Sequence, residues 1–123
     1  MAETEEKVFY VITHAGEDPE RASLPFTIAN AALVMDMQAT LFLHGNGVWL
    51  AKKGYAEHVK AMGFDPLKKL LDDFFALGGK MYVCVPCLKG RDIDESDLIE
   101  GAETTAAAKI TQEMLTAQVH LVY

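Results

Sequence analysis

Four short apolar runs constrain the fold of this chain more than any other feature. They lie at residues 8–12, 41–43, 81–85 and 119–123. The runs are rich in β-branched and aromatic residues, and they do not alternate polar with apolar positions. Uninterrupted apolar strands are typical of a sheet that is covered on both faces, and such sheets are usually parallel. The runs therefore predict a buried, parallel sheet.

Amphipathic helical patterns separate these runs. Pro19 favours the start of a helix, and an apolar stripe at i, i+3, i+4 and i+7 follows it. That stripe consists of Ile28, Ala31, Ala32 and Met35. Asp65 and Pro66 predict the start of a second helix, which ends at the pair Gly78 and Gly79. Its predicted buried residues are Leu67, Leu70, Leu71 and Phe74.

Three shorter elements complete the pattern. Residues 48–53 predict a short helix, and residues 98–102 an additional short strand. A last helix is indicated by Ala107, Ile110 and Met114. Strands that alternate with helices predict a βαβ series, in which right-handed crossovers place helices on both faces of the sheet. The expected fold class is therefore α/β.

The length of 123 residues fits a single domain. We expect residues 1–6, half of which are acidic, to be disordered, and residues 7–123 to form the domain. A domain of this size buries only a modest share of its surface. We therefore expect it to associate with further copies of itself.

Charge and hydropathy exclude some classes of function. The formal net charge of −7 argues against nucleic-acid binding, which needs a basic face. No segment approaches the roughly 20 apolar residues of a membrane span. The acidic start does not resemble a secretory signal, so we expect a cytoplasmic, reducing location. There, a close cysteine pair more often serves redox, carrier or metal chemistry than a structural disulfide.

Three candidate residues fall where predicted strands end. His14 follows the first strand, His44 follows the second, and Cys84 lies at the end of the third. In open parallel sheets, binding and catalytic sites form outside the carboxyl ends of the strands. The topology therefore predicts that these three residues share one edge of the sheet.

The pair Cys84 and Cys87 is the most informative feature for function. Two thiols three positions apart on a turn can form a disulfide, share a metal or pass a group between them. Lys89 and Arg91 place positive charge close by in sequence. Positive charge and the backbone N–H groups of a following helix favour a thiolate, so we expect a lowered pKa at the thiols.

Other interpretations of the same residues stay open at this point. The cysteines can simply be packed in the core. Thiol–disulfide exchange of the thioredoxin type is opposed by the lack of any proline after Pro86 to form the facing cis-proline loop. A zinc site would need His14 and His44 to join the two cysteines. We assign no cofactor and no resident metal from the sequence.

Two residues near the thiols also have structural interpretations. Arg91 can form an ion pair with Asp92 or Asp94 instead of serving the thiols. Asn46 lies between two glycines, which suits a tight turn with positive φ.

Several segments together resemble the DsrE/DsrF-like family. They are residues 43–55, with Gly-Asn-Gly-Val and Lys-Lys-Gly-Tyr; residues 63–71, with Gly-Phe-Asp-Pro-Leu; residues 82–91, with the two cysteines; and the region from Gly101 to the last strand. The likeness covers nearly the whole chain from Lys7. It implies a three-layer α/β/α fold around a mostly parallel sheet, here of about five strands.

The resemblance also implies a function. Characterised relatives form homo- or hetero-oligomers, often trimers or hexamers, and carry sulfur as a cysteine persulfide between donor and acceptor proteins. Cys84 matches the sulfur-bearing cysteine, Arg91 matches an arginine of the family pattern, and Cys87 matches a second cysteine found in a C-x-x-C subset. Asp92 stands where the family has a glycine.

The resulting hypothesis is a sulfur relay with Cys84 as the carrier and Cys87 as a resolving thiol, supported by Arg91, Lys89, His44 and His14. The alternative is a non-catalytic homo-oligomer that binds a small ligand or a partner at the same edge of the sheet. A disulfide reductase or a zinc site comes third.

Overall fold

The structure, a computed structural model, describes residues 6–123, and within that range strands and helices alternate. The strands are β1 (Lys7–Ile12), β2 (Gln38–Leu43), β3 (Lys80–Cys84), β4 (Ala102–Thr105) and β5 (Val119–Val122). The helices are α1 (Pro19–Val34), α2 (Leu67–Ala76), α3 (Val85–Lys89) and α4 (Ala107–Leu115), and 3₁₀ segments lie at Gly45–Ala51, Ala56–His58 and Glu95–Asp97. The expected acidic segment 1–6 lies outside the described residues, except for Glu6.

All five strands are parallel and form one sheet in the order β4-β3-β2-β1-β5. Tyr10 of β1 pairs with Leu41 of β2, which pairs with Met81 of β3. The predicted α/β class with a mostly parallel sheet of about five strands is confirmed. Because the strands run the same way, their carboxyl ends meet at one edge, hereafter the carboxyl edge.

The sheet lies between two helical layers, as predicted. The larger core cluster joins one face of the sheet to α1 and α2, where Phe26 and Phe74 pack edge to face at 5.8 Å. The smaller cluster joins Phe9 and Tyr82 to Ile110 of α4 on the other face. Covering on both faces explains why the central strands read as uninterrupted apolar runs.

The predicted stripe on α1 is buried only at Ala32 and is otherwise wrong. Ile28 is 36% exposed and Met35 is 67% exposed. The buried residues of α1 are Ala22, Ser23, Pro25, Phe26, Ala29 and Ala32. This second series has the same helical spacing, and it places the large ring of Phe26 against the core. Small alanines allow either face to be buried, and the aromatic volume decides between them.

The predicted additional strand and one predicted helix are displaced. The fourth strand is Ala102–Thr105 rather than residues 98–102, and the short helix after β2 is the 3₁₀ segment Gly45–Ala51 rather than residues 48–53. Because β4 is an edge strand that pairs only with β3, it needs no apolar run to mark it. The third strand also ends one residue early, since Val85 begins α3.

The predicted second helix is confirmed in its buried face. Leu67, Leu70, Leu71 and Phe74 are all buried in α2. The chain leaves this helix through Gly78, whose φ of +95° favours glycine. No helix within residues 6–123 has the length and the hydropathy needed to cross a bilayer.

One buried ion pair fastens α4 to the sheet. The Lys7 ammonium is 2.9 Å from Glu113 Oε1 and donates a hydrogen bond to Thr116 Oγ1 at 2.7 Å. The Lys7 side chain is only 9% exposed, and the Glu113 side chain 19%. A charge buried to this extent is tolerated only when it is paired.

We expect Glu113→Ala to lower the free energy of unfolding by about 3 kcal/mol, because it leaves the Lys7 ammonium buried without its counter-charge. Urea unfolding measures the change. Asp73→Ala is the matched control, since it removes an exposed i,i+4 partner of Lys69 and costs less than about 0.5 kcal/mol. Equal losses in the two variants would contradict a special role for the buried pair.

Candidate functional site

The two cysteines meet at the carboxyl edge. Cys84 is the last residue of β3 and precedes α3, and Cys87 lies in the first turn of that helix. One helical turn brings the two side chains together, and Pro86 has the fixed φ that suits a first helical turn. Their Sγ atoms are 2.7 Å apart, and both residues are free, partly exposed thiols. The arrangement places both sulfurs within reach of each other and of solvent.

The turn after β2 reaches over to the second thiol. The backbone N–H of Gly45 donates a hydrogen bond to Cys87 Sγ at 3.2 Å. Gly45 has a φ of +58°, a conformation that favours glycine. Gly47 lies so close to β1 that a Cβ atom there would overlap the carbonyl oxygen of Ile12. The lack of a side chain at Gly47 therefore lets this turn lie directly on the end of β1.

Arg91 lies beside the second cysteine residue. Its Nε and Nη2 atoms donate to Asn46 Oδ1 at 3.2 and 3.0 Å, and its Nη1 donates to the Cys87 carbonyl at 3.2 Å. None of the ion pairs in the described part of the chain involves Arg91. The alternative of an ion pair with Asp92 or Asp94 is therefore wrong.

Asn46 is the site residue that sequence reasoning missed. We expected it to supply the positive φ of a tight turn, but Gly45 has that conformation instead. The Asn46 side chain accepts both bonds from Arg91, which lies 45 positions later in the chain. A contact between residues so far apart in the chain leaves no periodic signal in the sequence. A tight turn already explains an asparagine between two glycines, so the sequence gives no reason to look for a distant partner.

The expected lowering of the thiol pKa is wrong for Cys84. Burial raises the pKa of Cys84, and the neighbouring Cys87 thiol raises it further. The backbone N–H of Cys87 and the positive charge of Arg91 act in the opposite direction, but they do not overcome these effects. The sequence shows the basic residues near the thiols, but it does not show how deeply Cys84 is buried.

The histidines have separate surroundings. The His44 ring packs on Phe42 with centroids 5.2 Å apart. Burial lowers the pKa of His44, so its ring is neutral at pH 7. The Nδ1 atom of His14 lies 2.7 Å from Glu17 Oε2. Although burial opposes it, hydrogen bonds from the Ala15 N–H and from His14 lower the pKa of Glu17.

The remaining predicted residue, Lys89, is exposed in the last turn of α3. A zinc set of Cys84, Cys87, His14 and His44 is not formed, because residues 6–123 contain no group of three or more His, Cys, Asp or Glu side chains placed to hold a metal. The structure thus brings together Cys84, Cys87 and Arg91, adds Asn46 and Gly45, and leaves His14 with Glu17.

Comparison with known proteins decides the family. The family model described as the DsrE/DsrF-like family matches residues 6–123. The chain belongs to this family. Its relatives include the uncharacterized proteins MJ0760 and MJ0989 of Methanocaldococcus jannaschii. MJ0760 is 35% identical over 83% of the chain, but the match spans only 37% of the length of MJ0760. MJ0989 is 36% identical over 79% of the chain, and the match spans 82% of the length of MJ0989.

Solved structures of similar proteins support the DsrE-like fold. The ychN protein of E. coli matches with a TM-score of 0.74 at 21% identity, covering 96% of the chain and 99% of ychN. MTH1491 of Methanobacterium thermoautotrophicum, a protein of unknown function, matches with a TM-score of 0.68 at 14% identity, with coverages of 96% and 99%. At these identities the likeness concerns the fold alone.

We expect Gly47→Ala to lower the free energy of unfolding by about 2 to 3 kcal/mol, because the new methyl group overlaps the Ile12 backbone. Gly90→Ala is the control beside the same site. Gly90 has a φ of −64°, and an added Cβ there makes only ordinary contact with the Pro86 carbonyl at 3.5 Å. The free energy of unfolding of the control variant should equal that of the wild type or exceed it slightly. Unfolding in urea that is unchanged for Gly47→Ala would refute the close contact.

Proposed function

We propose that this DsrE/DsrF-like protein relays sulfane sulfur as a cysteine persulfide on Cys84, with Cys87 as the resolving thiol. The observation that carries the proposal is a pair of free, partly exposed cysteines at the carboxyl edge whose Sγ atoms are 2.7 Å apart. Family membership adds support, because it makes a sulfur-relay type of domain the context for this pair. We assign donor and acceptor proteins as its partners and a reducing cytoplasm as its location.

Loading is a thiol exchange reaction. The Cys84 thiolate attacks the terminal sulfur of a donor persulfide, R–S–SH, and forms Cys84–S–SH. The donor leaves as the thiolate R–S⁻, so the bond between the two donor sulfurs breaks as the new S–S bond forms. No external oxidant or reductant is consumed, because the sulfane sulfur keeps its oxidation state. Partial exposure of Cys84 gives the donor access.

Discharge can follow two routes. An acceptor thiolate can attack the terminal sulfur and take it, which regenerates Cys84. Alternatively, the Cys87 thiolate attacks Cys84 Sγ, forms the Cys84–Cys87 disulfide and releases HS⁻. The second route converts sulfane sulfur to sulfide at the expense of the two thiols, and an external dithiol must reduce the disulfide afterwards. The contact between the sulfurs favours the second route.

The surrounding groups support this chemistry. The Gly45 N–H directed at Cys87 Sγ is a fixed donor for negative charge that develops on that sulfur. The Arg91 guanidinium supplies positive charge beside Cys84. We assign His44, whose ring is neutral at pH 7, and His14 to proton transfer at the same edge, and Lys89 to attraction of an anionic donor.

Intact-mass spectrometry after incubation with a sulfane-sulfur donor tests the assignment. We expect Cys87→Ser to gain and keep about 32 Da, wild type to gain about 32 Da only transiently before it forms the disulfide, and Cys84→Ser to gain nothing. Cys87→Ser should then release sulfide about tenfold more slowly than wild type, because the resolving thiol is absent. The two single variants control for each other, since each keeps one thiol. Equal loading of Cys84→Ser would refute the carrier assignment, and no loading of any variant would favour the ligand-binding alternative.

We further propose that the protein forms a homo-oligomer, a trimer or a hexamer, through the edge strand β5. Val119, Leu121 and Val122 of this strand are 43%, 44% and 69% exposed. Strand β5 pairs with β1 on one side only, so that its outer edge presents unpaired backbone groups beside these apolar side chains. Such an edge is stabilised when another chain covers it.

Leu121→Glu should shift the oligomer towards monomer, because a carboxylate would be buried at the proposed contact. Light scattering on the eluting protein gives the mass. Met62→Glu is the control: it introduces the same charge at a position that is 95% exposed in the loop before α2, outside β5. A monomeric wild type, or an equal effect of the two variants, would contradict the proposed interface.

A further inference from the structure

A neutral amide holds a cation that the structure places beside the thiol pair. Asn46 Oδ1 accepts hydrogen bonds from Nε and Nη2 of Arg91, and the same guanidinium reaches the Cys87 carbonyl through Nη1. Arg91 is therefore fixed at three nitrogen atoms. Proteins usually hold a partly buried guanidinium with a carboxylate, which binds it in a bidentate manner. The choice of an amide needs an explanation.

We propose that Asn46 is a positioning residue that keeps the Arg91 guanidinium beside Cys84 and Cys87 while leaving its positive charge uncancelled. The proposal rests on the function assigned above to the same thiols. It makes Asn46 act through Arg91, without contact to the reacting sulfurs.

An amide and a carboxylate at position 46 differ in charge. An amide oxygen accepts the same N–H groups as a carboxylate oxygen but has no net charge. A carboxylate at this position would form an ion pair with Arg91 at about 3 Å, and the pair would present almost no net charge to the sulfurs. The positive charge of Arg91 lowers the pKa of Cys84, in opposition to burial. An acidic residue at position 46 would remove this effect even though it would hold Arg91 more firmly.

The turn that carries Asn46 is itself fixed. Gly47 lies against the Ile12 carbonyl, and Gly45 donates to Cys87 Sγ. Asn46 lies between these two contacts, so its side chain has a defined direction towards α3. Charged and titratable groups lie on three elements around Cys84. The end of β2 carries His44, and β4 carries Glu103. Helix α3 and the turn after it carry Cys87, Lys89, Arg91 and Asp92. Arg91 is the charged residue among them that contributes to the shift at Cys84.

The test measures the rate of alkylation of Cys84 against pH in the Cys87→Ser background, where Cys84 is the only thiol. Asn46→Asp keeps the shape and the acceptor, so it should fold and still hold Arg91. We expect it to raise the midpoint of the profile by about 0.5 to 1 pH unit, because the carboxylate cancels the guanidinium charge. Gln112→Glu on the exposed side of α4 adds the same charge elsewhere and should leave the midpoint unchanged.

A second comparison separates a positioning role from a direct one. Asn46→Ala should raise the midpoint, but the double variant Asn46→Ala/Arg91→Ala should match Arg91→Ala alone, because Asn46 acts only through Arg91. An unchanged midpoint in Asn46→Asp, or a full additional shift in the double variant, would overturn the proposal. Alkylation needs no sulfane donor, so these results do not depend on whether Cys84 loads sulfur; a failure of loading would refute the relay alone.

Discussion

The contact between Gly47 and the carbonyl oxygen of Ile12 is the constraint on which the site depends. A side chain at position 47 would push the turn after β2 away from the end of β1. With glycine there, the turn lies flat on the carboxyl edge and extends across the end of β2 towards β3. Gly45 then donates to Cys87 Sγ, and Asn46 accepts from Arg91. One backbone contact thus brings donor, amide and cation to the thiols at once.

The thiol pair combines opposing electrostatic effects. Burial and the neighbouring sulfur raise the pKa of Cys84, whereas Arg91 and the Cys87 N–H lower it. A raised pKa reduces the fraction of thiolate, but a thiolate of higher pKa is intrinsically more nucleophilic, with a Brønsted coefficient of about 0.4 to 0.5. Cys84 is therefore a sparsely ionised sulfur with high nucleophilicity per thiolate.

The sequence predicted the fold well because burial on both faces leaves uninterrupted apolar runs in β1, β2 and β3. It predicted the thiol pair and Arg91 because they are close in the chain. It failed where two faces of one helix have the same apolar spacing. In α1, the position of Phe26 decided which face is buried. It also failed for the edge strand β4 and for Asn46, whose partner Arg91 lies 45 positions away. Burial depth, which raises the pKa of Cys84, is likewise a property of the assembled layers.

The sheet order separates the two surfaces to which we assign roles. The thiols lie at the end of β3 and just after it, and the exposed apolar residues lie on β5, with β2 and β1 between these strands. Neighbouring strands are about 4.8 Å apart, so the two surfaces lie about 14 Å from each other across the sheet. A second chain that covers the outer edge of β5 can therefore bury Leu121 and Val122 while the thiols on the carboxyl edge stay within reach of a donor. The proposed assembly and the proposed sulfur transfer make separate demands on the fold, and the order of the strands allows both to be met.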